Sequence, residues 1–242
     1  MFSRQFPSPA LIRLLCVLAF LVPGGAASAA PQQPVVILDP GHGGEDAGVV
    51  GPGGLTEKDL SLDISLRVKR RIDERLGLPV FLTRSDDRLL SQDDRASFAN
   101  NHHGSLFISI HMGGFPGQLG KGASLFYFEP APGEGSPPVA PLTIWGNQQI
   151  SHRENSRNLG AMLQQTLGAA FPDGGDPDLL GMPLYLLRTV EMASVLIEPA
   201  VLTSPIVENE LGREENLEKI AEAVFEGIQL FLKSQTTGTG LD

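Results

Sequence analysis

Val35-Val36-Ile37-Leu38-Asp39-Pro40-Gly41-His42-Gly43-Gly44 decides the fold. The short β-branched and aliphatic run reads as a buried strand. It ends in a tight, glycine-rich turn that carries a histidine at its tip. Open α/β sheets place their ligands outside the carboxyl ends of strands, so His42 is predicted where a ligand would lie. Glycines tolerate unusual φ and leave the space beside the imidazole empty. Glu57, in Leu55-Thr56-Glu57-Lys58-Asp59, opens a predicted helix, and His111 closes a second predicted strand, Leu106-Phe107-Ile108-Ser109-Ile110-His111. Two imidazoles and a carboxylate on three separate elements form a ligand set of catalytic zinc, with the fourth position left open. The chain reads as a zinc hydrolase.

Strand and helix patterns alternate along the rest of the sequence. A strand over 35–38 is followed by a helix that starts behind the Thr56/Asp59 cap pattern and shows Leu60, Ile64, Val68 and Ile72 on one face. Further strands are predicted at 78–82, 106–110, 123–128, 185–188 and 194–197. Further helices are predicted at 95–101 behind Ser91/Asp94, at 154–171 and at 214–233. The proline- and glycine-rich stretch 129–150 has neither periodicity and reads as a loop. This alternation predicts one α/β domain, a mostly parallel twisted sheet of about six strands with helices on both faces. The catalytic domain is expected over 30–234, with 235–242 as a flexible tail.

Arg4 and Arg13, the apolar run 14–22 and Ala27-Ser28-Ala29 describe a secretory signal peptide over 1–29, with an apolar run well short of the roughly 20 residues of a membrane span. An exported, periplasmic location follows as an expectation. The only cysteine, Cys16, lies inside that segment, so the mature domain is expected to depend on packing and metal rather than disulfides. Removing Arg4 and Arg13 takes the formal charge from −10 to −12. An acidic exported chain is a poor partner for nucleic acid, which needs clustered Lys and Arg.

Glu198, at the end of Ser194-Val195-Leu196-Ile197, is a third strand-tip residue on the same rim. A carboxylate outside the metal shell can take a proton from water and return it to a departing nitrogen. Asp39 is a candidate hydrogen-bond partner for a ligand imidazole. Arg84 would hold either a substrate carboxylate or a structural ion pair, and Trp145 would serve as a sugar platform or a packing anchor. His102, His103 and His152 are expected to face solvent. Taken singly, each site residue has an ordinary reading: a turn histidine at 42, a helix-dipole charge at 57, a strand-end histidine at 111 and a strand terminator at 198.

Asp39-Pro40-Gly41-His42-Gly43-Gly44, Glu57-Lys58-Asp59, Leu82-Thr83-Arg84, Ser109-Ile110-His111 and Val195-Leu196-Ile197-Glu198 resemble, in order and approximate spacing, the motifs of the zinc-dependent N-acetylmuramoyl-L-alanine amidases (amidase type 3). The resemblance covers about residues 35–232. It implies hydrolysis of the amide between N-acetylmuramic acid and L-alanine of peptidoglycan stem peptides, in wall remodelling or cell separation. By position it makes His42, Glu57 and His111 the Zn2+ ligands and Glu198 the catalytic glutamate, with peptidoglycan and a protein activator as candidate partners. Two departures stand out. Met112-Gly113 follows His111 where the family usually has a small residue and asparagine. Pro199-Ala200-Val201 follows Glu198 where it usually has a residue, then glycine and an aromatic. The stretch 129–150 is too short and proline-rich for the inhibitory helix that some relatives carry. A silent wall-binding protein of the same fold and a zinc peptidase remain as alternatives.

Overall fold

The computed structural model describes residues 33–114, 122–131 and 144–237, all within one compact unit that begins at Gln33. The expected signal peptide lies outside the described residues. The element order is β1 (Val36–Pro40), α1 (Glu57–Arg75), β2 (Val80–Leu82), α2 (Gln92–Asn101), β3 (Leu106–Ile110), β4 (Ser124–Phe128), α3 (Ile144–Ala170), β5 (Asp178–Met182), α4 (Tyr185–Thr189), β6 (Ala193–Glu198), α5 (Pro205–Leu211) and α6 (Glu214–Thr237). A single six-stranded sheet has the order β2-β1-β3-β6-β4-β5. β1, β2, β3 and β6 run parallel. β4 pairs antiparallel with β6, and β5 runs parallel to β4.

The alternation along each strand sorts the core into two layers. Val36, Leu38, Leu106, Ile108 and Ile110 pack with α1, α3 and α6 on one face. Ile37 and Phe107 point the other way, against α2 and α4. All five residues of β1 and of β3 are buried, which is why these strands read as continuous apolar runs instead of alternating ones. Truncating a fully buried Ile108 to Ala should cost ~2–5 kcal/mol.

β1 lies between β2 and β3, so the chain leaves it for one neighbour and comes back to the other. A crevice opens at such a switch point, beyond the strands' carboxyl ends. In register, Pro40 faces Ile110 and Ile110 faces Ile197. The residues just past those positions therefore emerge side by side on one rim.

Four expectations need correction. Tyr185–Thr189 is a helix, not a strand; its neighbours Leu186 and Leu187 are both buried, whereas a strand would send them to opposite faces. The sixth strand is Asp178–Met182, an exposed edge segment with no apolar alternation to read. α3 starts at Ile144, so the end of the expected loop is helical. Its Gln149 is buried and donates to the carbonyls of Val190 (2.7 Å) and Met192 (2.9 Å), and a polar residue at a core position hides the helical period. The side chain of Trp145 lies outside the described residues. Finally, α6 continues to Thr237, past the expected start of the tail.

Candidate metal centre

A buried polar network holds the backbone that follows β1. The Asp39 carboxylate, with no exposed surface, accepts hydrogen bonds from Thr83 Oγ1 (2.5 Å), Ser109 Oγ (2.7 Å) and Arg95 Nη1 (2.7 Å). Arg95 also donates to the carbonyls of Pro40 (2.6 Å) and His42 (2.8 Å). Arg84, equally buried, donates to the carbonyls of Pro40 (3.0 Å), Gly41 (2.6 Å) and Lys58 (2.8 Å). Three consecutive carbonyls, Pro40 to His42, are thus fixed by guanidinium donors. Burial, reinforced by the like charge of Arg95, lowers the Arg84 pKa. Arg84 makes no ion pair among the described residues and does not face a ligand, contrary to both expectations for it. Asp39 supports the backbone and not an imidazole, which corrects the role expected for it.

The restrained turn places His42 in the left-handed region, at φ 57°, a conformation that costs a non-glycine residue energy and clusters at functional sites. Two glycines make room around it. A Cβ at Gly41 would stand 2.5 Å from His111 Cε1, and one at Gly48 would stand 2.6 Å from His42 Cδ2. The ring of His111 can therefore lie directly over the turn. The two imidazoles are edge-on, with centroids 4.9 Å apart.

Glu57, the first residue of α1, completes the group. Its Oε1 lies 3.0 Å from His42 Nε2 and 2.8 Å from His111 Nδ1, and also accepts the Met112 N–H at 3.0 Å. Its Oε2 accepts the Val49 N–H at 2.8 Å. Burial alone would raise the pKa of Glu57, but the hydrogen bonds from His111 and His42 outweigh it and hold the group well below the ordinary carboxylate range. Potential ligand atoms of His42, Glu57 and His111 all lie within 4.8 Å of one another. On its far side, His42 Nδ1 meets Asp46 Oδ2 at 2.8 Å. Burial would lower the His42 pKa, yet Glu57 and Asp46 together raise it. An imidazole that presents one nitrogen to a centre and donates from the other to a carboxylate has the geometry of a supported metal ligand. Asp46 is therefore the partner that was expected at Asp39, and its only sequence signal is its place four residues after His42.

Glu198 stands outside this cluster but close to it. Its Oε2 would be 3.2 Å from a Cβ at Gly113. Burial raises its pKa; His111 opposes this and Glu57 adds to it. The two departing segments are stitched together, because Gly113 N–H donates to Ala200 O and Leu202 N–H to Gly113 O, each at 2.8 Å. A cleft of about 240 Å³ runs from His42, Asp46 and His111 past Leu90 and Gln92 to Tyr185. Of the other histidines, His103 is exposed, and His152 is partly buried. His102 is also partly buried, stacked on Phe98 at 4.1 Å.

Comparison with known proteins gives the family. The family model described as N-acetylmuramoyl-L-alanine amidase matches residues 36–230. The chain belongs to this family. The amidase AmiC of Neisseria meningitidis is 28% identical over 232 residues, covering 86% of this chain, which in turn spans 55% of that protein. AmiA of Escherichia coli is 30% identical over 225 residues, covering 80% of this chain and 74% of its own length. The CwlD amidase from Clostridioides difficile, solved in complex with the GerS lipoprotein, matches with TM-score 0.70 and 27% identity over 84% of this chain and all of that one. As an amidase, this chain keeps the family's mixed α/β sheet. Its departures at Met112-Gly113 and Pro199-Ala200 fall in the two stitched segments beside Glu198, and leave His42, Glu57 and His111 untouched.

Proposed function

We propose that this amidase uses one zinc ion, held by His42, Glu57 and His111, to hydrolyse the amide between N-acetylmuramic acid and L-alanine of peptidoglycan stem peptides. The supporting observation is the convergence of those three side chains beside a separate, partly buried carboxylate. The donor set fits the metal: two imidazoles, one carboxylate and no thiolate, as in catalytic zinc sites that keep a fourth position for water. Zinc there supplies Lewis acidity to the scissile carbonyl and lowers the pKa of water. Glu57 brings the negative charge, and Asp46 holds the His42 ring with Nε2 toward the metal. Glu198 accepts the proton of the attacking water and hands it to the departing L-alanine nitrogen. Burial raises its pKa above the ordinary carboxylate value, the direction that favours a group which must take up a proton as well as release one.

Residues 1–29 act as a signal peptide and the chain from 30 through the end of α6 at Thr237 forms the catalytic domain, which puts the enzyme in the periplasm or an equivalent exported space. Among the described residues no helix is long and apolar enough to cross a membrane. Peptidoglycan is the substrate, and an activating protein is a candidate partner; the CwlD neighbour was solved in complex with a protein partner, the GerS lipoprotein.

The test is digestion of purified peptidoglycan with mass analysis of the products, alongside metal content. Free stem peptides beginning with L-alanine, uncut glycan strands and one zinc per chain are expected, and His42→Ala should lose zinc and activity. Wall binding without release of peptides would make the protein a silent binder. Cleavage of sugar-free peptides at equal rates would make it a peptidase.

A further inference from the structure

Glu208 is a buried carboxylate with no cation beside it. It lies on α5, ten residues beyond Glu198, and is 6% exposed. No Lys, Arg or His pairs with it among the described residues. Instead, Oε2 accepts the Gly53 N–H at 2.5 Å and Oε1 accepts the Leu55 N–H at 3.0 Å. A carboxylate taken out of water is costly unless its oxygens are satisfied, so this one must be there for the loop it grips.

That loop leads to Glu57. The Gly51 N–H donates to Leu55 O (2.8 Å) and the Gly54 N–H to Gly51 O (3.0 Å), closing a tight excursion whose tip faces Glu208. A Cβ at Gly53 would approach Glu208 Oε2 to 3.1 Å, so the glycine lets the carboxylate reach the backbone. Below the tip, Val50 bridges Thr56, the cap of α1. Glu57 N–H donates to Val49 O, and Val49 N–H donates to Glu57 Oε2, both at 2.8 Å. The grip on one Glu57 oxygen is thus continuous with the grip of Glu208 on the tip. On its other side α5 is seated by Val207 and Leu211 in the core. It follows the segment stitched to Gly113 at the end of β3.

We propose that Glu208 is a positioning residue for the metal centre: it ties the loop that carries Glu57 to the segment that follows Glu198, and so sets the orientation in which Glu57 offers Oε1 to the ion. The inference rests on the zinc reading given under Proposed function. Partners bonded directly to a metal ligand typically change metal affinity ~10–100-fold when removed; Glu208 acts one step further out, through the loop, and should change it several-fold. Stability alone would not produce that signature.

The experiment measures zinc affinity by chelator competition in the full chain, with folding of the metal-free state checked by circular dichroism. Glu208→Gln keeps the shape, but its NH2 cannot accept, so one backbone N–H loses its partner. It should weaken zinc binding more than twofold, and Glu208→Ala several-fold, below or at the ~10-fold low end for direct ligand partners, while saturating zinc restores most of the turnover. Leu163→Ala, in the core between α3 and α6, serves as a control that lowers stability away from the site. Zinc affinity within twofold of the unaltered protein in both Glu208 variants would overturn the proposal, as would an equal loss in the Leu163 control. If Glu208→Ala fails to fold, the Gln variant decides. A wild-type chain that binds no zinc, or a His42→Ala chain that keeps it, would instead bring down the reading on which the proposal rests, and the proposal with it.

Discussion

Two arginine–carboxylate networks in this molecule differ in what surrounds them. Behind the metal centre, Arg84, Arg95 and Asp39 are 0%, 5% and 0% exposed. Along α1 and α6, a partly buried Arg67, a buried Arg71 and the exposed Arg70 and Arg75 meet Glu214, Glu218 and Glu222, whose carboxylates reach solvent. With Asp63, which pairs with Arg67, the outer network sets four arginines against four carboxylates. The inner one has two guanidinium groups to one carboxylate, and turns its remaining donors on backbone carbonyls. Exposed pairs gain little because water competes for them. Buried groups gain little net from pairing either, but become expensive when one partner is removed. The inner network is therefore best understood as a clamp on the strained His42 turn, and the outer one as a modest helix-to-helix contact.

Breaking the inner network should have the largest effect. Arg95→Met leaves Asp39 buried without its counter-charge and frees the carbonyls of Pro40 and His42. A loss of ~3–5 kcal/mol is expected in denaturant titrations. A loss below about 1 kcal/mol, the range of exposed pairs, would erase the distinction between the networks.

Glu198 sharpens the comparison, because it lies on the rim but belongs to neither network. Glu198→Gln should leave stability and zinc content near wild type while the rate falls ~10²–10⁴-fold. Its raised pKa also has a directional consequence. The ionised form is needed to take the first proton, so activity should decline as pH drops through a value above the ordinary carboxylate range. The Gln variant should lack that acid limb. Loss of zinc together with activity would make Glu198 a fourth ligand.

Asp46 supports an imidazole through Oδ2 and accepts the Gly48 N–H through Oδ1 (3.1 Å), and its side chain is half exposed. Asp46→Asn should weaken zinc binding ~10-fold or more with little change in the stability of the metal-free protein, measured by competition and thermal melts. If stability falls as far as in Arg95→Met, Asp46 belongs to the clamp.

The smallest effect is expected in the outer network. Glu214, whose side chain is 80% exposed, reaches Arg67 at 3.5 Å. Glu214→Ala should cost ~0–1 kcal/mol, with the difference shrinking further in high salt. A larger, salt-independent cost would show that the two networks are alike.

The parts of this molecule that were legible from sequence are those where burial and pattern coincide. β1 and β3 are short apolar runs ending at the rim, so His42 and His111 could be placed from periodicity and strand direction alone. Glu57 could be placed from the Thr56 cap. What stayed hidden depends on long-range contact or on conformation. The pairing of Asp46 with His42 accompanies a left-handed residue whose exact place in the glycine-rich turn the sequence does not mark. Arg95 looks like an ordinary surface charge, and Arg84 like a substrate or ion-pair residue, until the fold buries them against backbone carbonyls. Glu208 meets Gly53 and Leu55 across more than 150 residues of chain. The segment 178–189 was misread because its strand is an exposed edge and its five-residue helix is too short to show a period.

The reversal of β4 has a consequence for how this fold can vary. Ser124, the first residue of β4, lies opposite Glu198, the last residue of β6. The connection between β3 and β4 therefore begins and ends on the rim that carries the metal centre. The connection that leaves β4 after Phe128 starts from the other end of the sheet. Chain length added to the first connection is therefore anchored at both ends beside the candidate metal centre. Chain length added to the second starts from the opposite end of the sheet. One antiparallel pairing thus divides the permissible insertions of this scaffold by the end of the sheet from which they spring.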